Sequence, residues 1–94
     1  SGTTKEVMNS APLAEKFKAF GWNVVEVADG NDCEQLIAAY EAAKNCKGMP
    51  TAVIAHTVKG KGVSFMENNA KWHHGVMSAE QYERAVRELE AMYE

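Results

Sequence analysis

A chain of 94 residues, 46% hydrophobic and 24% charged, has the composition of one soluble globular unit and leaves no room for a second domain. Its formal charge of −3 argues against a general affinity for nucleic acid or for an anionic membrane surface. No apolar run approaches the ~18 residues that cross a bilayer.

Ser1-Gly2 reads equally as a native start or as a remnant of cloning, and residues 1–10 are polar, an irregular lead-in. Pro12 suits the first turn of a helix. Leu13, Phe17 and Phe20 then recur at helical spacing before Gly21. The run "WNVVEV" over residues 22–27 is rich in β-branched residues and predicts a strand, and "ADGND" after it predicts a turn. Asp32 is placed to cap the next helix, with Gln35 at the capping-box position. Cys33, Leu36, Ile37, Tyr40 and Ala43 would form its apolar face, and Gly48 and Pro50 would end it. "TAVIAHTV", residues 51–58, predicts a second strand. A last helix would begin at Ser78, capped with Gln81, and bury Tyr82, Val86, Leu89 and Tyr93. Cys33 and Cys46 show no CxxC spacing and follow no secretory leader, which fits two free thiols in a reducing, cytoplasmic setting. Cys33 falls on the apolar face as a core residue, and Cys46 at the exposed helix end.

Two strands joined by one helix make a parallel, right-handed βαβ crossover. Strands this apolar call for helices on both sheet faces. The fold class expected is therefore α/β: a partial parallel sheet with a βαβ crossover and flanking helices, part of a larger sheet or completed by a partner.

Charge is unevenly placed. The segment "HTVKGKGVSFMENNAKWHHG", residues 56–75, carries Lys59, Lys61 and Lys71 against Glu67 and holds all three histidines. Its net +2 leaves −5 for the rest of the chain. A basic solvated loop is the plain reading. The sharper one is an anion site, because ligands of open parallel sheets bind beyond the carboxyl ends of strands, and this segment starts there. Glycines would let the backbone approach a ligand, and lysines would meet a phosphate. The segment is not a P-loop, and the "DGN" at 29–31 is first of all a turn. Zinc is disfavoured, since His73 and His74 are adjacent and no carboxylate or thiolate stands at ligand spacing. Trp72 is expected to anchor the loop by packing, and His56 to be a satisfied strand-end histidine.

Three stretches, "PLAEKFKAFGWNVVEVADGND", "PTAVIAHTVKGKGVSFMENNAKWHHG" and "MSAEQYERAV", together resemble the thiamine-diphosphate-binding region of transketolase, most of all the amino-terminal subunit of bacterial split transketolases. The likeness runs from Gly2 onward. It implies a thiamine diphosphate enzyme of the pentose phosphate pathway that moves a two-carbon ketol unit from a ketose phosphate to an aldose phosphate. It also implies a dimeric or larger homo-oligomer, whose active site lies between a diphosphate-binding domain and a pyrimidine-binding domain or subunit. Within the family's K-G-[KR]-G…W-H-G motif, the lysine beside the diphosphate falls on Lys59. The histidine beside cofactor and substrate falls on His73, the expected catalytic residue. His74 stands where many members carry glycine, which leaves it as an alternative to His73. The family's G-D-G…N motif for Mg²⁺ has no counterpart here. Residues 1–94 thus read as the carboxyl-terminal part of the diphosphate-binding domain, not expected to bind thiamine diphosphate tightly or to catalyse alone. The competing reading is a non-catalytic α/β fragment or a self-associating interaction module.

Overall fold

The computed structural model describes residues 2–93; Ser1, half of the Ser1-Gly2 opening, lies outside the described residues. The chain separates into two compact units rather than the single unit its composition suggests. One is Thr4–Thr57, and the other begins at Val58 and takes in the first residues of the chain.

In the Thr4–Thr57 unit the lead-in contains a one-turn helix, α1 (Thr4–Val7), where only irregular chain was expected. Helix α2 (Leu13–Ala19) follows Pro12, and the Lys16 ammonium donates to the Ser10 carbonyl at 2.8 Å, tying down the approach. Of its three large apolar residues only Phe17 turns inward, its ring 5.1 Å from that of Trp22; Phe20 is 86% exposed. Strand β1 (Asn23–Val27) pairs in parallel with β2 (Thr51–Ala55), Asn23 opposite Thr51 and Val27 opposite Ala55. The α/β class and the βαβ connection through α3 (Cys33–Asn45) are as expected.

Strand β2 stops three residues short of its expected end. The His56 amide still bonds to Val27 (3.1 Å), but its carbonyl is taken by Gly30 of the "ADGND" turn at 2.8 Å, which closes the ladder. Asp32 caps α3 through the Glu34 amide at 2.9 Å. Gln35 departs from the reciprocal capping box: its oxygen accepts from the Asp29 amide and its nitrogen donates to Asp32, so it ties the turn to the cap. The inward side of α3 is Ala39, with Leu36, Ala43 and Cys46 half-buried. The expectation that Cys33 is core is overturned. It shares an exposed edge with Tyr40 and with Ile37, which is 61% exposed, because the small Ala39 rather than the large residues faces the sheet.

In the second unit α4 (Ala79–Met92) begins with the full capping box, Gln81 amide to Ser78 hydroxyl and Ser78 amide to Gln81 carbonyl oxygen. The expected stripe of Tyr82, Val86, Leu89 and Tyr93 is not the buried side. Tyr82 is 63% exposed and Tyr93 is exposed, while Ala85 is buried with Gln81, Val86 and Glu88 half-buried beside it. Across the described residues the buried apolar side chains are alanines and valines: Ala14, Val27, Ala39 and Ala52 in one unit, Val63 and Ala85 in the other. No helix among the described residues is long and apolar enough to cross a membrane.

Candidate functional site

The candidate residues Lys59 and His73 both belong to the second unit, on the segment between Val58 and α4. Its first half is a turn closed by its own backbone. Lys61 donates to Val58 at 3.2 Å, Val63 to Gly60 at 3.3 Å, and the Asn68 amide returns to the Lys59 carbonyl at 2.9 Å. Asn68 takes φ 55°, a left-handed conformation that asparagine tolerates. The Gly62 amide donates to the Glu67 carboxylate at 3.1 Å. The glycines therefore serve the turn, and this amide faces the loop's own carboxylate instead of a ligand.

Positive charge at the loop comes from side chains. Lys59, Lys61 and Lys71 are exposed, and among the described residues none has a carboxylate at ion-pair distance. A phosphate oxygen about 4 Å from one such ammonium gains about 1 kcal/mol in bulk water and up to about 4 kcal/mol near a protein surface. Exposed ammonium groups of this kind have the chemistry to meet a phosphate or diphosphate as point charges.

The second half orients His73. Asn69 caps a 3₁₀ turn, Ala70–His73, by accepting from the Lys71 amide at 3.1 Å. The Trp72 indole N–H donates to the Phe65 carbonyl at 3.1 Å, and the two rings lie 5.5 Å apart. Trp72 is thus the packing anchor that the sequence leads one to expect. His73 follows it, exposed, its ring 4.5 Å from that of His74 and edge-on to it. No hydrogen bond or ion pair joins Lys59 to His73 among the described residues. An open cleft of about 370 Å³ beside Trp72, Phe65, Lys71 and Val76 includes neither of them in its lining. His56 is in the other unit, where its Nε2 lies 3.1 Å from Glu26 Oε1, a satisfied strand-end histidine.

Sequence reasoning missed how the segment is held. The Ser64 amide donates to Glu88 Oε2 at 3.1 Å, and its hydroxyl donates to Glu88 Oε1. Arg84 donates to the same hydroxyl at 3.2 Å and lies 5.4 Å from the Phe65 ring centre. The Ser64 hydroxyl holds the Glu88 carboxyl below its ordinary range, against partial desolvation and with help from the Ser64 amide and Arg84. Partners 24 residues apart leave no local signal. Among the described residues no group of three His, Cys, Asp or Glu side chains is placed to hold a metal ion.

Comparison with known proteins agrees with the resemblance. The family described as "Transketolase, thiamine diphosphate binding domain" matches residues 1–92. An apulose-4-phosphate transketolase subunit of Phocaeicola vulgatus is 49% identical over 89 residues, 95% of this chain and 31% of that protein. A 6-deoxy-6-sulfo-D-fructose transketolase subunit of a Clostridium species is 38% identical over 95% of this chain and 32% of its own length. Transketolase-like protein 1 of Bos taurus is 36% identical over 98% of the chain and 15% of its own length. The chain spans about a third of the length of the two subunit relatives.

Proposed function

The chain belongs to the transketolase thiamine diphosphate binding domain family, and from that premise we propose that it forms part of a site for two-carbon ketol transfer. Within that site we read residues 1–94 as the carboxyl-terminal part of the diphosphate-binding domain. The observation that supports this most directly is the set of three ammonium groups without a carboxylate at ion-pair distance, on a loop whose first turn is closed by its own backbone. Lys59 would hold the diphosphate as a point charge. Thiamine diphosphate, when bound, supplies the electron sink that transfer of a ketol unit requires. His73, exposed and with no hydrogen bond to its imidazole among the described residues, would donate to a substrate oxygen or carry its proton.

The relatives' names point to sugars bearing a phosphate or a sulfonate, so the substrates proposed are sugars with an anionic group. Two of them are named as subunits, which supports a partner chain carrying the pyrimidine-binding half, in an oligomeric assembly. The exposed Ile37 and Tyr40 edge of α3 fits burial within such an assembly. The free thiols of Cys33 and Cys46 favour a reducing, cytoplasmic setting.

The test replaces the matching segment of the P. vulgatus relative with this chain and assays ketol transfer together with the other half of that enzyme. Transfer should survive. Lys59→Met should weaken thiamine diphosphate affinity at least about tenfold. His73→Ala should slow turnover about 10²- to 10⁴-fold, and His74→Ala should leave it nearly intact. Unchanged turnover in His73→Ala would remove His73 from the site.

A further inference from the structure

One set of contacts in the second unit plays no part in the proposed chemistry, yet it grips the loop that carries it. Ser64 lies in sequence between Lys59 and His73. Both of its donors, amide and hydroxyl, go to one carboxylate, that of Glu88. Arg84, one turn earlier on α4, approaches Glu88 at 3.8 Å and Ser64 Oγ at 3.2 Å. A partly exposed ion pair by itself contributes little. Two charge-assisted hydrogen bonds from a single residue to one carboxylate act differently, because they fix orientation.

The neighbours of Ser64 pass that orientation in both directions. Val63, buried, donates to Gly60 at 3.3 Å and accepts from Met66 and Glu67 at 2.9 and 3.1 Å, holding the turn that bears Lys59 and Lys61. The Phe65 carbonyl accepts from the Trp72 indole at 3.1 Å and from the Asn69 side-chain amide at 3.4 Å, holding the 3₁₀ turn that ends at His73. The two arms meet at Ser64.

We infer that Glu88 is a positioning residue for the anion site: through Ser64 it fixes the Lys59 and His73 arms of the loop relative to each other. The inference rests on reading Lys59 as the group that holds the anion. Glu88 touches neither ligand nor substrate in this role.

The chain contains two tryptophans, so Trp22→Phe leaves Trp72 as the single indole and as a reporter on the loop. In that background Glu88→Gln and Ser64→Ala should each raise acrylamide quenching of Trp72 while the far-ultraviolet dichroism is kept. Ser64→Thr, which keeps the hydroxyl, should behave as the parent, and the double variant should add nothing to either single one. In the chimeric enzyme, Glu88→Gln and Ser64→Ala should weaken thiamine diphosphate affinity about tenfold and, because the His73 arm loosens with the Lys59 arm, lower kcat at saturation as well, with Ser64→Thr keeping both near the parent. If Glu88→Gln loses its dichroism, Ser64→Ala carries the test, since it removes one hydroxyl only. The inference is overturned if Ser64→Ala moves neither quenching nor affinity, or if the two single effects add. Lys59→Met separates this failure from that of the anion site. Unchanged affinity in Lys59→Met removes both the site and the inference. Lost affinity in Lys59→Met with Ser64→Ala inert removes the inference alone.

Discussion

Gly60→Ala probes the lysine turn most sharply, because its cost separates into two parts. Gly60 takes φ 75°, and an L-residue in the left-handed region costs about 1–2 kcal/mol. A Cβ at Gly60 would also stand 2.5 Å from the Met66 carbonyl oxygen and 2.7 Å from its carbon. These are backbone atoms, and the Asn69 amide holds that oxygen at 3.2 Å, so relief means moving the turn. Overpacking of this kind costs a further ~1–3 kcal/mol. Gly62 is the control, two residues on in the same turn. Its φ is 103°, but the nearest neighbour of an added Cβ is Leu89 Cδ2 at 3.2 Å, a side-chain end that can swing away. Gly62→Ala should therefore cost about 1–2 kcal/mol and Gly60→Ala about 2–5 kcal/mol. Urea unfolding followed by Trp72 fluorescence in the Trp22→Phe background reads the unit that holds both glycines. The expected result is a lower midpoint for Gly60→Ala at unchanged slope, with a gap of at least about 1 kcal/mol. Equal midpoints would refute the packing of Met66 behind Gly60 and leave only the backbone term.

Two further expectations concern α4. Ser78→Ala removes the acceptor of the Gln81 amide and should lower stability by about 1 kcal/mol in the same urea assay, while Ser78→Asp should restore it. Glu88 has a folded-state pKa below its unfolded value, so the stability it contributes is complete above the ordinary glutamate value of about 4.3 and is lost as pH falls through the lower folded value. The urea midpoint read by Trp72 should thus decline on acidification below about pH 4.3, and Glu88→Gln should flatten that decline.

The central βαβ unit is legible in the sequence because its signals are local. Val24, Val25 and Val27 gather β-branched residues between turn formers, Asp32 supplies a cap, and Gly48 and Pro50 mark a stop. Ser78 and Gln81 announce α4 for the same reason. The buried faces are not legible, because periodicity gives weight to large side chains, whereas the inward positions of α2, α3 and α4 are Ala14, Ala39 and Ala85. Close approach to the sheet selects small residues on α2 and α3, while Ile37 and, on α4, Tyr82 remain outside. The site divides similarly. Excess charge on residues 56–75 is visible from composition, and Lys59 and His73 emerge from the resemblance. That Glu67 takes the Gly62 amide and Glu88 takes Ser64 is visible only once the chain is folded, since hydrogen-bond partners so placed leave no periodic trace.

The alanine and valine interior bears on how the protein responds to temperature. Exposure of apolar surface is what raises heat capacity on unfolding, by about 0.45 cal/K/mol for each Å². Interiors of small side chains expose little such surface when they open. The unfolding enthalpy then changes slowly with temperature, and the curve of stability against temperature is broad and low rather than steeply domed. Melting is therefore expected to spread over a wide interval, and cooling below the optimum should cost such an interior less than one of leucine and phenylalanine.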